Sequence, residues 1–410
     1  MRLIIGFTLL IFCITSCNTT PQKKELAPGM WRAELSVMDN EILPFNFLVT
    51  KSEAGEYGLE IMNAEEVIDV DEIVIEGDSI TIQTPVFEGY IAGTFTDSTI
   101  EGQFIKESLN RIVPFKATKG DVERFMTDAP SSQDVTGIWE TTFSPNTADA
   151  YVGKGIFLQE KDNVTGTFRT TTGDYRFLEG KMEADSLKLS AFDGAHAFLF
   201  TAKVTDSTMN GTFYSGNHFK EPFIAKRNDA YELPSPDSLT FIKEGYDKLA
   251  FEFPNSKGEM ISLEDAEFKD KVVIVQLMGT WCPNCLDETK FFVDYLKNNP
   301  TKDIKIIGLA FESAKTQEKA FEGIERLKNR IEVPYPLLLA QYGSYDKKAA
   351  QEKLPMLDHV LSYPTTIFID KKGSVRRIHT GFNGPATGSK FEEFKTDFDG
   401  LINTLVSEKK

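Results

Sequence analysis

Two cysteines in the last third of the 410-residue chain have the spacing of a redox pair. Cys282 and Cys285 stand three residues apart in the segment Trp-Cys-Pro-Asn-Cys, while the other two cysteines lie within the first seventeen residues. Two cysteines placed at random in the rest of the chain would fall three apart only about once in two hundred trials. On one turn of a helix such a pair is adjacent and can close a small disulfide ring. The spacing therefore predicts a dithiol that interconverts with a disulfide.

The surrounding sequence places this pair at the start of a helix. The near-continuous apolar run 271–278 predicts a buried parallel strand, and an apolar stripe at Phe291, Phe292 and Tyr295 predicts a helix after the cysteines. At a helix N-terminus, free N–H groups and the helix dipole stabilise a thiolate. We therefore expect Cys282 to be the attacking thiol and Cys285 the thiol that resolves the mixed disulfide.

Two structural roles for the cysteine pair explain the spacing less well. A structural zinc site needs about four ligands, and the chain after residue 17 offers only one pair of thiols. A disulfide across a two-residue gap closes almost no loop, so it would stabilise the fold little. We predict no metal, and no cofactor other than the redox-active Cys282–Cys285 pair itself.

Alternating strands and helices surround the pair in residues 240–410, after the Pro/Ser-rich stretch 233–237. This alternation indicates an α/β domain. Beyond the strand and helix that flank the cysteines, the patterns predict strands at 303–310 and 335–340, a helix at 314–331, a hairpin at 366–379 and a last helix at 391–405.

Residues 240–410 resemble the thioredoxin fold and, more narrowly, the envelope-facing TlpA/ResA-like thiol-disulfide oxidoreductases of bacteria. The resemblance rests on Trp-Cys-Pro-Asn-Cys at a strand-to-helix junction, on the segment Tyr363-Pro364-Thr365-Thr366, on an acid three residues after the second cysteine, and on a long connection before Pro364. It implies a thioredoxin-like domain that exchanges thiols and disulfides with client proteins.

The same resemblance assigns roles to single residues. It implies that Cys282, Cys285 and Glu288 are catalytic, that the Tyr363–Pro364 bond is cis, and that clients bind at four residues: Trp281, Pro283, Tyr363 and Pro364. From spacing alone Glu288 would be a surface charge, since most helix glutamates are solvated. Thioredoxin itself has a buried aspartate where this chain has Gln276. An inward Glu288 would therefore take over the proton transfer.

The N-terminus has the features of a lipoprotein signal peptide. Residues 3–14 are almost wholly apolar, a run shorter than the about 20 residues that span a bilayer but typical of a signal-peptide core. Ile14-Thr15-Ser16-Cys17 resembles the bacterial lipobox, which implies removal of residues 1–16, lipidation of Cys17 and a linker over 17–28. The alternative is an ordinary secretory signal in which Cys17 is incidental. The lipid would anchor a periplasm-facing lipoprotein of the cell envelope to a bacterial membrane.

Between the linker and the α/β domain the sequence repeats itself. Gly29-Met-Trp31 matches Gly137-Ile-Trp139 at an offset of 108, and the Thr-Asp-Ser-Thr segment 96–99 recurs at 205–208, an offset of 109. A period this long predicts two successive domains rather than a solenoid. We expect two all-β modules, each a sandwich or barrel of six to eight strands, over 29–120 and 134–228.

Charge and motif together narrow the function. Lysine and arginine number 45 against 62 aspartates and glutamates, a net charge of −17, and so acidic a chain argues against nucleic acid as a partner. We expect a membrane-tethered oxidoreductase that reduces disulfides of envelope proteins and is re-reduced by an unidentified membrane electron donor. Two alternatives stay open: a thiol peroxidase of the peroxiredoxin type, and a binding protein whose β modules carry the function. Against the peroxidase, Gly279-Thr280-Trp281 lacks the Pro and Thr that precede a lone peroxidatic cysteine.

Overall fold

The structure is a computed structural model that describes residues 25–120 and 123–409. The predicted signal peptide 1–16, Cys17 and most of the predicted linker 17–28 lie outside the described residues. Within the part that is described, no helix is both long and apolar enough to cross a membrane. The described residues form two β modules followed by an α/β domain.

The first module is a barrel-like antiparallel sheet of nine strands in the order β4-β3-β2-β1-β9-β8-β7-β6-β5. Its strands are β1 (Gly29–Ser36), β2 (Ile42–Lys51), β3 (Tyr57–Asn63), β4 (Glu66–Val70), β5 (Glu72–Glu76), β6 (Ser79–Gln83), β7 (Tyr90–Phe95), β8 (Thr99–Lys106) and β9 (Arg111–Lys119). Successive side chains of a strand face opposite sides, so Trp31, Ala33 and Leu35 of β1 all enter one apolar core.

The second module also has nine strands, in the order β11-β10-β18-β17-β16-β15-β14-β12-β13. They are β10 (Gly137–Phe143), β11 (Tyr151–Glu160), β12 (Asn163–Thr170), β13 (Gly173–Asp174), β14 (Leu178–Glu183), β15 (Ser186–Phe192), β16 (Ala197–Val204), β17 (Thr208–Ser215) and β18 (Phe219–Arg227). Because β12 pairs with both β11 and β14, the sheet closes into a barrel, and the short strand β13 extends β12 outside that ring.

The two modules match at the positions that the repeat singled out. In each, the first strand pairs with the second and with the last. The indole N–H of Trp31 donates to the Ala27 carbonyl (3.0 Å) and that of Trp139 to the Val135 carbonyl (2.8 Å), each four residues back. These correspondences support the duplication, which we propose.

The expectation of six to eight strands in each module is wrong, since each has nine. The pattern of alternating residues merges neighbouring short strands. Asp71 alone separates β4 from β5, and β13 is only two residues long. Neither Asp71, between β4 and β5, nor residues 171–172, between β12 and β13, form a glycine- or proline-rich turn that a sequence pattern would detect.

The C-terminal domain is built on a five-stranded mixed sheet in the order β23-β22-β21-β24-β25. After a small hairpin of β19 (Glu252–Pro254) and β20 (Met260–Ser262), its elements are β21 (Val272–Met278), α1 (Pro283–Asn298), β22 (Ile304–Phe311), α2 (Gln317–Arg330), β23 (Leu337–Gln341), α3 (Lys347–Lys353), β24 (Thr365–Ile369), β25 (Val375–Thr380) and α4 (Ser389–Ser407). Every residue of β21 is buried, as expected for a central strand covered on both faces.

Most element boundaries differ from the expectation by one to three residues, and two of the shifts have a clear local cause. The helix expected at 314–331 begins at Gln317, because the Thr316 hydroxyl caps it by accepting a hydrogen bond from the Lys319 N–H (3.3 Å). The strand expected at 335–340 spans Leu337–Gln341, after Pro336, which has no N–H to donate to a neighbouring strand.

Candidate active site

Cys282 and Cys285 lie at the junction between the central strand β21 and the first helix α1. Cys282 is the N-cap residue of α1, and the Cys285 N–H donates to its sulfur (3.1 Å). The two sulfurs form a disulfide, with the Cα atoms 5.2 Å apart. Cys282 is 6% exposed and Cys285 fully buried. Once the disulfide is reduced, the helix N-terminus stabilises a thiolate at Cys282, which is the cysteine that a client can reach.

Residues predicted to bind clients surround Cys282. Pro283 is the first residue of α1, a position where proline fits because its missing N–H would have no helical partner. The Tyr363–Pro364 bond is cis, and the Tyr363 carbonyl oxygen lies 3.6 Å from the Cys282 sulfur. The rings of Trp281 and Tyr363 meet edge to face, with centroids 5.7 Å apart. The structure thus brings Trp281, Pro283, Tyr363 and Pro364 together around one sulfur.

Glu288 points into the protein rather than into solvent. Its side chain is fully buried on α1, and each carboxylate oxygen accepts one hydrogen bond, from Thr366 Oγ1 (2.7 Å) and from Gln276 Nε2 (2.9 Å). Burial raises the pKa of Glu288 to about 7, although the two hydrogen bonds lower it. A carboxyl group with this pKa can both accept and donate a proton near neutral pH.

Gln276 connects Glu288 to the backbone of Cys285. Its Nε2 also donates to the Cys285 carbonyl (3.3 Å), and its Oε1 accepts a hydrogen bond from Thr289 (3.2 Å). Because an amide does not titrate near neutral pH, Gln276 orients the carboxyl group but takes no proton itself. On this side of the pair, Glu288 is a group that can accept a proton near neutral pH.

A second buried acid, Glu312, was not predicted from the sequence. It is 3% exposed and accepts hydrogen bonds from the Thr280 N–H (2.8 Å) and hydroxyl (2.7 Å), two residues before Cys282. Burial raises the pKa of Glu312 to about 7. A signal was present, because Glu312 directly follows β22, whose parallel neighbour β21 ends just before the cysteines. Polar residues at such strand ends meet at one edge of the sheet.

A cavity of about 760 Å³ lies between this edge and the first module. Thr280, Trp281 and Glu312 line it on one side, and Phe87 and Glu88 of the first module line it on the other. Trp281 is fixed at the cavity by an indole hydrogen bond to the Phe311 carbonyl (2.9 Å) and by ring contact with Tyr345. The first module therefore forms part of the surroundings of the active site.

Arg176 of the second module joins all three domains behind the active-site helix. Its buried guanidinium pairs with Asp287 of α1, with Glu66 of the first module (2.5 Å) and with Asp193 of its own module (3.4 Å). Burial alone would lower the pKa of Arg176, but the carboxylates, Asp287 foremost, raise it well above its ordinary value. No sequence pattern marked Arg176 or Asp287, because their pairing joins residues 111 positions apart.

Among residues 25–120 and 123–409, no group of three or more His, Cys, Asp or Glu side chains is arranged to hold a metal ion. What the site does offer is a cysteine pair at a helix N-terminus, a cis proline beside it and a buried acid connected to the second cysteine. With the mixed sheet that carries them, these features define a thioredoxin-fold thiol-disulfide oxidoreductase.

Known proteins are similar to this chain over its C-terminal domain. A sequence model of the AhpC/TSA family matches residues 246–378. Thioredoxin-like protein YneN of Bacillus subtilis (strain 168) is 29% identical over 140 residues, which are 34% of this chain and 73% of that protein. Thiol-disulfide oxidoreductase ResA of Bacillus thuringiensis subsp. konkukian (strain 97-27) is 26% identical over 159 residues, 38% of this chain and 80% of that protein. The C-terminal domain is therefore similar in sequence to thioredoxin-like and ResA thiol-disulfide oxidoreductases.

Among solved structures, a thiol:disulfide interchange protein of the thioredoxin family from Chlorobium tepidum TLS matches with 20% identity and a TM-score of 0.30. The match covers 40% of this chain and 99% of that one.

Proposed function

We propose that this protein is a membrane-tethered reductase of disulfides in envelope proteins. The observation that carries the proposal is the Cys282–Cys285 pair at the N-terminus of α1, with Tyr363–Pro364 beside the outer sulfur and Glu288 connected to the inner cysteine. The reaction is a two-step exchange between this pair and a client disulfide.

In the first step the Cys282 thiolate attacks one sulfur of the client disulfide. A bond forms between Cys282 and the client, the client's own S–S bond breaks, and one client sulfur leaves as a thiolate. In the second step Cys285 loses its proton and attacks the Cys282 sulfur. The Cys282–Cys285 bond forms, the mixed disulfide breaks, and the second client thiolate leaves. The client gains two electrons and takes up two protons, and the cysteine pair is oxidised.

Glu288 is the group that takes the proton from Cys285. With a pKa of about 7, roughly half of these carboxyl groups are ionised at pH 7. Its connection through Gln276 to the Cys285 carbonyl places it beside the first turn of α1, where the second thiol must be deprotonated. The reverse transfer accompanies reduction of the pair.

The tether and the electron source complete the proposal. The lipobox-like segment that ends at Cys17 supports a lipid anchor that would keep the protein at a bacterial membrane, facing the periplasm. A membrane protein that carries electrons would then return two electrons and two protons to the Cys282–Cys285 pair. The acidic chain, with a net charge of −17, favours protein clients over nucleic acid.

Reduction of insulin and consumption of hydrogen peroxide, measured on the same preparation, test the reaction. We expect insulin reduction that is lost in Cys282→Ser, and peroxide consumption no faster than that of the variant. The peroxide arm is needed because a model of the AhpC/TSA family matches this domain. Peroxide turnover that depends on Cys282, without insulin reduction, would replace the proposal by the peroxidase alternative.

Trapping identifies the clients, and fractionation tests the tether. Cys285→Ala removes the resolving thiol, so mixed disulfides on Cys282 should accumulate in cells and can be identified by mass spectrometry.

Cys17→Ser should move the protein from the membrane fraction to the soluble fraction. If the variant stays with the membrane to the same extent as the wild type, lipidation of Cys17 is refuted.

A further inference from the structure

The surface on which a client would lie is bounded by three short segments. An extended client whose sulfur is in line with Cys282 must run along the backbone at Tyr363, as peptides do when they pair with an exposed backbone edge. Ser362 precedes this point, Asn284 lies two residues beyond Cys282, and the Gly381 N–H donates to the Pro364 carbonyl (2.9 Å). We call the surface between Asn284, Ser362 and Gly381 the client groove.

A hairpin of the second module, residues 170–176, lies on all three of these segments. The Ser362 hydroxyl donates to the Thr172 carbonyl (2.9 Å), and the Asn284 side-chain amide donates to the Asp174 carbonyl (3.2 Å). A Cβ atom added to Gly381 would stand only 2.8 Å from the carbonyl carbon of Thr172. The backbone of the hairpin therefore lies against all three segments that bound the client groove.

The hairpin is fixed on the groove by contacts at both of its ends. The Asp174 carboxylate accepts a hydrogen bond from the Gly384 N–H (2.7 Å), and Arg169, just before the hairpin, donates to the Asn383 side chain (2.8 Å). At the other end Arg176 pairs with Asp287 of α1. Gly173 and Asp174 are buried, as are Ser362 and Gly381. Protein surface, not solvent, covers this side of the groove.

We propose that the 170–176 hairpin is a built-in occupant of the client groove and thereby determines which disulfides reach Cys282. While it is docked, a small disulfide can react, but a protein strand has to displace the hairpin first. The apparent affinity for a protein client is then reduced by the fraction of molecules in which the hairpin is undocked. This inference rests on the proposed function, because the groove matters only if proteins are the clients.

Gly173 offers a substitution that undocks the hairpin without touching the cysteines. Its φ of +139° is one that side chains rarely adopt, and a Cβ atom there would stand 2.2 Å from the Asn284 side-chain nitrogen. Gly173→Val therefore strains the hairpin backbone and displaces the Asn284 amide, which breaks its hydrogen bond to the Asp174 carbonyl and weakens docking of the hairpin. Gly55→Val is the matched control, because Gly55 also has a positive φ, +87°, but no atom lies within 4 Å of an added Cβ.

Two measurements on the full chain test the proposal. The first is the rate at which reduced Cys282 is modified by a polyethylene glycol maleimide and by iodoacetamide, with adducts located by mass spectrometry. The second is the rate of reduction of insulin and of the small aromatic disulfide 5,5′-dithiobis(2-nitrobenzoate). In Gly173→Val we expect the two bulky reagents, the polyethylene glycol maleimide and insulin, to react about tenfold faster, because the undocked fraction rises. The rates with the two small reagents, iodoacetamide and the aromatic disulfide, should change less than about twofold.

The proposal would be overturned if Gly173→Val unfolds at the same temperature as Gly55→Val and still reacts with insulin and the bulky maleimide at the wild-type rates. If Gly173→Val does not fold, Arg169→Ala is tested instead, because it removes the contact with Asn383. It should raise the ratio of the rate with the bulky maleimide to the rate with iodoacetamide, and an unchanged ratio refutes the occupant role. The ratio of the two labelling rates can be measured without any disulfide reduction by the protein. A wild-type chain that reduces neither disulfide would therefore refute the proposed function, while the labelling still decides the role of the hairpin.

Discussion

Replacing Glu288 by glutamine tests whether the buried carboxyl moves the proton of Cys285. The substitution keeps the size of the side chain but removes a group whose pKa is about 7. Ionisation of such a group rises from about one tenth at pH 6 to about nine tenths at pH 8. If the carboxylate accepts the proton, resolution of the mixed disulfide in the wild type should accelerate about tenfold over this range and level off above pH 7.

The variant should show a different pH profile. Without the carboxylate, resolution depends on the thiolate fraction of Cys285 itself, and an ordinary thiol has a pKa of about 8.5. The rate should then rise about tenfold for each pH unit between 6 and 8, without levelling. At pH 7 it should be about a hundredfold slower than in the wild type, the lower end of what a positioned acid or base contributes.

The assay is single-turnover release of the second client thiolate from a preformed mixed disulfide on Cys282. Glu312→Gln is the matched control, since Glu312 is also buried with a pKa of about 7 but bonds to Thr280 rather than to Gln276. It should keep the wild-type profile. A Glu288→Gln enzyme whose profile levels off at pH 7 at the wild-type rate would refute the proton-transfer role.

Three further outcomes follow from the same contacts. Thr366→Val removes a hydrogen bond that lowers the pKa of Glu288, so the midpoint of the resolution profile should move to higher pH; an unmoved midpoint would mean that Glu288 does not set it. In Glu312→Gln the free energy of unfolding, measured by urea titration at pH 5 and pH 8, should vary less with pH. A carboxyl whose pKa is raised from 4.5 to about 7 stabilises the fold fully below pH 4.5 and loses about 3 kcal/mol as the pH rises to 7. Arg176→Ala should cost about 3–5 kcal/mol of unfolding free energy because it strands buried carboxylates, whereas Arg330→Ala, at a pair whose Asp71 is 64% exposed, should cost at most about 1 kcal/mol.

The sequence predicts those parts of the site that lie close together in the chain or belong to a recognisable motif. Cys282 and Cys285 follow a buried strand directly, so their position at a helix N-terminus follows from local pattern alone. The inward direction of Glu288 does not, because helical spacing equally allows a solvated face. Only the family resemblance favoured burial, and the structure shows why burial is tolerated: Thr366 and Gln276 each donate a hydrogen bond to the carboxylate.

What the sequence could not place are the contacts between domains. The pair formed by Thr172 and Ser362 joins residues 190 positions apart, and no periodicity or motif connects two such segments. The same holds for Phe87, a buried apolar residue that any β core could have absorbed but that packs with the C-terminal domain. The predicted number of strands was wrong for a related reason, since Asp71 alone lies between β4 and β5 and gives no turn signal.

The position of Arg176 has a consequence for how the protein unfolds. One buried cation balances carboxylates from the first module, the second module and the active-site helix. If the C-terminal domain melted alone, the Arg176 guanidinium would lose Asp287, and if the first module melted alone, it would lose Glu66. If the second module melted first, Glu66 and Asp287 would both lose their cation. Each partial opening therefore carries an electrostatic cost that complete unfolding avoids. We expect the three domains to denature as one cooperative unit, with equal calorimetric and van't Hoff enthalpies, although a chain of this size would ordinarily come apart in stages.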